Sequence, residues 1–432
     1  RGGEAETVPR ARITVYSHIT TMTPEIDALS ASSDRNAAAA AASVERRKHS
    51  EKPGDRSRTG VTVESDAETA SSPMDMRKML TWCVAVYFFI MTAFVVPIAC
   101  VSTFLLLTPL LLVSRTLFLR LENRLCAFVN DHWVAASAFC GLQVVEYGDD
   151  VSELQDKRVL CLANHLGLVD HFILMHSLHD RGRVSGSWMW VIYNIWKYTP
   201  LGVMWTSHGN FFVNGGPNKK ERLLETFRKH LSDYFWSWNY GWVVMYPEGS
   251  RLFMIRESAA RFAEKNGLAP LRHCAYPRTG AAHAVIQVCA PSSEDPSVAR
   301  SGQGAPIEYV IDATLGYPKG CVADIGSALM GEWPLDTSKI GLHYRIHKVK
   351  PEWADEEKLK DFLYERYKEK DELLDKYYRT GEFPGERRTV QLSTWTIMAS
   401  QAFWSALYYA HYSIWIAPLC STVLASITAF LF

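Results

Sequence analysis

From Leu80 to Val113 the chain carries no Asp, Glu, Lys or Arg, and no other feature constrains its fold as strongly. About 20 apolar residues in a helix cross the hydrocarbon core of a bilayer, and this stretch exceeds that length. Pro97 lies near its middle and Pro109 near its end. A proline removes a backbone donor and favours a kink or break. Arg77 and Lys78 precede the stretch, and Arg115, Arg120 and Arg124 follow it. Cationic side chains gather on the cytoplasmic side of a membrane. The pattern therefore predicts a helical hairpin over residues 77–125 that dips in and returns, with one long tilted helix as the alternative. A second charge-free stretch, Thr389 to Phe432, is introduced by Arg387 and Arg388 and interrupted at Pro418. Its Trp395, Trp404, Tyr408, Tyr409, Tyr412 and Trp415 favour the lipid–water interface. Residues 387–432 read as a C-terminal membrane segment, either two short helices or one span with a re-entrant piece.

The stretch before the first anchor, residues 1–76, is rich in Ser, Ala, Thr, Glu and Arg and poor in large apolar groups. Such a segment cannot bury enough surface to offset its ordering entropy and is expected to be a disordered tail. The chain opens on Arg, Met22 is a candidate initiator, and no secretory signal is read at the extreme N-terminus. The formal net charge of +0 argues against a nucleic-acid partner, which draws a net basic balance. The nine cysteines are scattered without paired spacing, which fits reduced thiols better than a disulfide framework.

Between the anchors, short apolar runs alternate with helical periodicity. Residues 158–163 (RVLCLA), 242–246 (WVVMY), 308–311 (EYVI) and 343–349 (HYRIHKV) read as strands. Leu223, Leu224, Phe227 and Leu231 recur at helical spacing within 219–234. Asp355 opens another helix, with an apolar stripe of Leu359, Phe362, Leu363, Tyr367, Leu373 and Leu374, and Gly381 stops it. Strands interleaved with helices imply an α/β core. Residues 291–306, rich in Ser, Gly and Pro, read as an inserted surface loop.

Two polar clusters stand at strand ends. Asn164-His165-Leu166-Gly167-Leu168-Val169-Asp170 follows the first core strand directly, and His165 is the only histidine with an aspartate five positions later. Residues five apart on an unbroken helix point apart, so His165 must sit on the turn entering a helix for Asp170 to reach it. An aspartate on one imidazole nitrogen fixes the tautomer and frees the other as a base. The plainer reading is a helix cap beside a core histidine. The second cluster is Tyr246-Pro247-Glu248-Gly249-Ser250-Arg251. Arg offers bidentate donors, Ser a hydroxyl and Gly close approach, a set that suits a phosphate; an ordinary strand-to-helix turn with a surface ion pair is the alternative. No Gly-x-Ser-x-Gly elbow and no nucleotide-binding glycine loop occurs. His171, His176 and His179 lack the His-Glu-x-x-His arrangement of a zinc site and read as a core or solvated helix face.

In this order, and between membrane anchors, the clusters resemble the glycerophospholipid acyltransferase superfamily. Its four blocks have counterparts at Asn164 to Asp170, Gly209 to Val213 (GNFFV), Glu248 to Arg251 and Ala275 to Ala281 (AYPRTGA). A closer likeness, to the branch that acylates lysophosphatidylglycerol, rests on KYTPLG (Lys197 to Gly202), HGNFF (His208 to Phe212), FAEKNGL (Phe262 to Leu268), IDATLGYPK (Ile311 to Lys319), HYRI (His343 to Ile346) and TGEFP (Thr380 to Pro384). The resemblance implies an α/β acyltransferase core, a mixed sheet flanked by helices, over residues 126–386. It implies transfer from acyl-CoA, as co-substrate and with no cofactor, to the free hydroxyl of a lysophospholipid. The site would face the cytosol at the endoplasmic reticulum membrane. His165 is implied as general base and Asp170 as its orienting partner. Glu248, Gly249, Ser250 and Arg251 are implied to bind phosphate, with Lys197 as a further phosphate or CoA contact. Gly209, Asn210 and Phe211 are implied to contact lipid, and Pro277 and Arg278 to line the acyl-donor side. Two positions depart from the pattern: Asn214 stands where the second block often carries a basic residue, with Lys219 and Lys220 close behind. Ser250 stands where the close branch tends to carry glycine. Transfer to 1-acylglycerol-3-phosphate or a lysocardiolipin, and a non-catalytic lipid-binding protein, are the alternatives.

Overall fold

The computed structural model describes residues 76–431 apart from 180, 183, 199 and 214–219. The tail expected to be disordered lies, but for Met76, outside the described residues. The strands are β1 (Gln143–Gly148), β2 (Val159–Ala163), β3 (Trp188–Tyr193), β4 (Phe211–Val213), β5 (Trp242–Met245), β6 (Tyr309–Gly316), β7 (Lys339–Lys348) and β8 (Arg387–Thr389). They form one eight-stranded sheet in the order β4-β3-β5-β2-β6-β7-β1-β8. Neighbours from β4 through to β6 run parallel, β7 is antiparallel to β6, β1 is parallel to β7, and β8 is antiparallel to β1. The sheet is therefore mixed, as the resemblance implied. β2 and β5 are buried at every position, which is why they read as unbroken apolar runs rather than alternating ones.

The helices are α1 (Met76–Ser102), α2 (Arg115–Phe139), α3 (Asp170–Ser177), α4 (Pro200–Ser207), α5 (Lys220–Tyr234), α6 (Leu252–Lys265), α7 (Thr279–Cys289), α8 (Ile325–Leu329), α9 (Glu356–Thr380), α10 (Thr394–His411) and α11 (Ala417–Leu431). They cover both faces of the sheet. Val159, Cys161 and Ala163 of β2 pack with Val134 of α2 and Ile173 and Leu174 of α3. Leu160 and Leu162 point the other way, to Phe227 and Leu231 of α5 and Val285 and Ile286 of α7. α9 is bounded as its sequence predicts: Asp355 Oδ1 accepts from the Glu357 and Lys358 amides at 2.8 and 3.3 Å. Gly381 ends it in the left-handed region at φ 81°, where glycine is unstrained. The nine cysteines are free thiols.

In the hairpin expected over 77–125, the N-terminal apolar stretch does not turn at its prolines. Pro97 lies inside α1 without breaking it, and the path continues through a π turn (Thr103–Leu107) and a 3-10 turn (Thr108–Leu112). Neighbouring hydroxyls occupy carbonyls along this path: Thr103 Oγ1 donates to Ala99 O and Thr108 Oγ1 to Thr103 O, both at 2.9 Å. The chain reverses only at Ser114, whose Oγ accepts from the Leu117 amide and caps α2. The returning leg is α2 itself, which runs through the expected 125/126 boundary unbroken. It belongs to the α/β core as well: Glu122 Oε1 meets His208 Nδ1 at 2.7 Å, and Asn130 Nδ2 donates to Ser185 O at 2.5 Å. His176 and His179 are likewise engaged by α2, through Ser137 Oγ at 3.1 Å and Asp131 at 3.2 Å.

α10 packs back on this pair, with Trp404 Nε1 and Ser400 Oγ donating to Phe128 O at 2.9 and 3.1 Å. α10, a π turn (Tyr412–Ile416) and α11 form one continuous helical path. Pro418 does not divide it, since the first turn of a helix tolerates a missing amide donor. Residues 79–112 and 394–428 are thus two helical paths long and apolar enough to cross a membrane.

Candidate active site

The site forms where the chain leaves the carboxyl ends of β2, β5 and β6, the place where open α/β sheets bind ligands. Asn164, fully buried, fixes the β2 exit: its Nδ2 donates to Leu315 O at 2.9 Å and its Oδ1 accepts from the Leu315 amide at 2.7 Å. The turn then carries His165, and α3 starts at Asp170. His165 Nδ1 and Asp170 Oδ2 are 2.9 Å apart. The same oxygen accepts from the Leu166 and Gly167 amides at 2.6 and 2.9 Å, and Oδ1 accepts from the Tyr317 hydroxyl at 2.7 Å. Asp170 is wholly buried, whereas the His165 side chain keeps 14% of its surface exposed. Both readings of the motif therefore meet in one carboxylate, which closes the turn and also orients an accessible imidazole. Because Nδ1 donates to a carboxylate, the lone pair sits on Nε2, which has no partner among the described residues.

The ring of His165 stacks on Tyr246 at 4.2 Å and 19°. His171, 5.8 Å away, is held neutral: burial, helped by the neighbouring His165, pulls it down to about 3. Tyr317 and Tyr246 are pushed well above the usual phenol value by burial and by the Asp170 charge, so both remain protonated.

The second cluster grips the first by its backbone. Glu248 Oε1 accepts from the His165 amide at 3.0 Å, and the Leu252 amide donates to His165 O at 2.9 Å. Glu248 is buried, with Oε2 unpartnered. Burial pushes its carboxyl up to about 8, although the backbone donors of His165 and Ala275 and the charge of Lys370 work against that. The phosphate-binding role expected of Glu248 is not met: its carboxyl points inward as a largely neutral acceptor that positions the His165 turn. Gly249 has φ 77°, and a Cβ there would come within 3.3 Å of the Arg278 side chain. Arg278 itself is exposed, and its amide donates to Pro247 O at 2.7 Å, which joins the fourth block to the third; Pro277 is buried. Ser250 is partly exposed, 3.7 Å from Met254 Sδ. Arg251 lies 5.1 Å over the Phe253 ring.

A cleft of about 1020 Å³ abuts the turn at Leu166, Gly167 and Leu168. Its walls are Arg251 to Phe253 and Arg256, the Leu271 to His273 loop, residues 319–325 without Cys321, and Tyr378. The structure thus brings His165, Asp170, Gly249, Arg251 and Arg278 into one neighbourhood. It does not bring in the second block. The Gly209 carbonyl accepts from His230 Nε2 at 2.8 Å, Asn210 Oδ1 accepts from the Trp190 amide at 2.7 Å, and the Phe211 ring packs 4.5 Å from Phe227. These residues weld β4 to β3 and α5, and the lipid contacts expected of them are corrected to core packing. Lys197 lies on a 3-10 turn (Asn194–Tyr198) after β3, outside the cleft lining. Asn214 and Lys219 lie outside the described residues. Tyr317 beside Asp170, and Arg272 and Lys319 in the cleft lining, are residues to which the sequence alone assigns no role. No local spacing signals Tyr317, since it reaches Asp170 across 147 residues.

A partly exposed imidazole on a buried carboxylate, at the strand ends of an α/β sheet and beside a basic cleft, is equipped for general-base chemistry. The chain belongs to the acyltransferase family, and within it to the glycerophospholipid acyltransferases. The acyltransferase family pattern matches residues 144–306, and the acyltransferase C-terminus pattern matches 336–404. A Caenorhabditis elegans protein named "Putative 1-acyl-sn-glycerol-3-phosphate acyltransferase acl-12" is 54% identical over 359 residues, covering 83% of this chain and 91% of that one. The mouse acyl-CoA:lysophosphatidylglycerol acyltransferase 1 is 30% identical over 312 residues, covering 69% and 84%. Among solved structures, the 1-acyl-sn-glycerophosphate acyltransferase PlsC of Thermotoga maritima covers 69% of this chain and 98% of its own, at 14% identity and a TM-score of 0.39.

Proposed function

We propose that this acyltransferase moves a fatty acyl group from acyl-CoA to the free hydroxyl of a lysophospholipid, on the cytosolic face of the endoplasmic reticulum membrane. The observation that carries the reading is the His165–Asp170 pair, 2.9 Å apart, with the outer nitrogen of the imidazole unpartnered. In the reaction, Nε2 takes the proton of the lysolipid hydroxyl as its oxygen attacks the thioester carbonyl. The tetrahedral intermediate collapses, the carbon–sulfur bond breaks, and the thiolate leaves as CoA, taking the proton from the imidazolium. The new ester bond forms directly, without an acyl-enzyme, and no cofactor is needed. Asp170 stabilises the imidazolium that exists only while the reaction is under way. Arg251, unpaired with any carboxylate among the described residues, offers a fork of donors to the acceptor's phosphate. Phe253 and Met254 beside it are exposed apolar side chains, a rim suited to an acceptor that arrives sideways from the leaflet.

The relative named for lysophosphatidylglycerol supports a lysophospholipid whose phosphate carries a headgroup; the 54%-identical relative, by its name, favours 1-acylglycerol-3-phosphate as a second reading. Purified protein given labelled acyl-CoA and a panel of lysolipids, with products identified by mass, separates the two. Preference for lysophosphatidylglycerol or lysophosphatidylethanolamine supports the first reading, and preference for lysophosphatidate the second. His165→Ala should lose roughly 10²–10⁴-fold in rate while still folding. Full transfer by that variant would remove the histidine from the chemistry.

A further inference from the structure

The cleft beside the His165 turn carries more positive charge than one phosphate requires. Arg251, Arg256, Arg272 and Lys319 all line it, and none is in an ion pair among the described residues. Among the described residues its single carboxylate is Asp324, which is committed elsewhere: Oδ2 accepts from the Gly326 and Ser327 amides at 2.9 and 3.1 Å.

Sheet topology divides these cations into two groups. β2, which delivers His165, lies between β5 and β6. Arg251 and Arg256 follow β5, whereas Lys319 follows β6. Arg272 is drawn to the β6 side by α9, where Asp371 Oδ1 accepts from the Arg272 and His273 amides at 2.9 and 2.6 Å. Tyr378, also of α9, joins Arg272 and Lys319 into one wall. Its ring is 4.9 Å from the His273 ring, and a Cβ at Gly320 would touch it at 3.4 Å. Lys319 is held there in a left-handed conformation, φ 50° and ψ 22°. A side chain larger than glycine adopts that conformation at a cost, and here the turn places a free cation in the cleft.

We propose that Arg272 and Lys319 form a second phosphate-binding wall, which holds the nucleotide phosphates of the acyl donor and leaves Arg251 to the phosphate of the acceptor. The proposal rests on the reading of acyl-CoA and lysophospholipid as the two substrates. In a lysophospholipid the phosphate and the reacting hydroxyl share one glycerol, so its anion must bind close to His165. Arg251 meets that demand, because the next residue donates its amide to the His165 carbonyl at 2.9 Å. In acyl-CoA a long pantetheine arm separates the thioester from several phosphates. That anion needs more than one cation and a site removed from the reacting atoms. A cleft of about 1020 Å³ has the size of sites that take large ligands.

Two variants of the full-length protein test this, Arg272→Gln and Lys319→Gly, assayed with oleoyl-CoA and with oleoyl-pantetheine, which lacks the nucleotide. Each should raise the KM for oleoyl-CoA about tenfold, the loss expected of one charge-assisted contact. The KM for lysolipid and the rate with oleoyl-pantetheine should stay at the parent values. Lys319→Gly also relieves the left-handed strain, so its melting temperature should equal or exceed the parent's, which separates lost binding from lost folding. An unchanged KM for oleoyl-CoA overturns the proposal. So does a rise confined to the lysolipid KM, which would give the wall to the acceptor, or an equal loss with both donors. If the parent protein transfers nothing from oleoyl-CoA, the assignment of the reaction fails first, and this wall with it.

Discussion

Replacing Asp170 by asparagine keeps the shape of the side chain and removes its charge. Four donors converge on this carboxylate: His165 Nδ1 at 2.9 Å, the Leu166 and Gly167 amides at 2.6 and 2.9 Å, and the Tyr317 hydroxyl at 2.7 Å. With its oxygen in the Oδ2 place, asparagine still accepts the first three. Its amide then faces Tyr317, whose hydroxyl can turn to accept, so the turn should survive. What disappears is the charge assistance, worth about 1–2 kcal/mol for each bond by the difference between charged and neutral hydrogen bonds. For the two amides and Tyr317 that loss is equal in ground and transition states, so it falls on stability, where easier burial of a neutral group offsets part of it. For His165 the loss is larger in the transition state than in the ground state, because only there does the imidazole carry a second proton and a positive charge. A deficit of about 1–2 kcal/mol lowers kcat by roughly fivefold to thirtyfold. Neither KM should move, since Asp170 is fully buried and touches no substrate. The assay is thiol release from acyl-CoA at saturating lysolipid, alongside a thermal-shift measurement in the same detergent. If Asp170→Asn keeps kcat within twofold of the parent, the imidazolium is not what Asp170 stabilises, and the role given to the pair is wrong.

Glu248→Gln should retain near-parent kcat and lysolipid KM, because the native carboxyl is a largely neutral acceptor from the His165 amide; a large rise in lysolipid KM would restore the phosphate-binding role. The same variant tests the pH dependence. The folded carboxyl stands near 8 against an ordinary 4.5, so the native state holds a proton that the unfolded chain releases in that window, and stability falls as pH rises through it. Glutamine cannot ionise, so the melting temperature of Glu248→Gln should fall less between pH 6 and 9 than the parent's; parallel curves would contradict the burial argument. Arg251→Ala should raise the KM for lysolipid and leave that for acyl-CoA unchanged, and steady-state kinetics with each substrate varied in turn decides it. Asn210→Ala orphans the buried Trp190 amide and should cost about 1–3 kcal/mol of stability, seen as a lower melting temperature with both KM values unaltered; a changed lysolipid KM would return the second block to the site.

The parts of this protein that were legible in the amino-acid order are those that nearest neighbours determine. Two charge-free stretches can only be apolar helical paths, strands buried on both faces read as unbroken apolar runs, and α9 is bounded by Asp355 and Gly381. His165 and Asp170 belong to this class too, because five positions across one turn bring them together whatever the rest of the chain does. Neighbours in sequence could not say where the first apolar helical path reverses. Pro97 and Pro109 pointed to a break, yet α1 runs on through Pro97, a π turn and a 3-10 turn follow, and the reversal waits for Ser114. Nor could they tell which polar strand-end residues face substrate. Glu248 and Asn210 have the chemistry of ligand contacts, but parallel pairing turns the first inward to the His165 amide across 83 residues and fastens the second to β3. The same pairing carries Tyr317 to Asp170 and sets Lys319 across the turn from Arg251. The physical reason is register: in a parallel sheet, strand ends meet through crossovers of many tens of residues. Which side chain then reaches the shared edge is decided by the packing of helices on both faces, and that information is distributed over the whole chain rather than held in any motif.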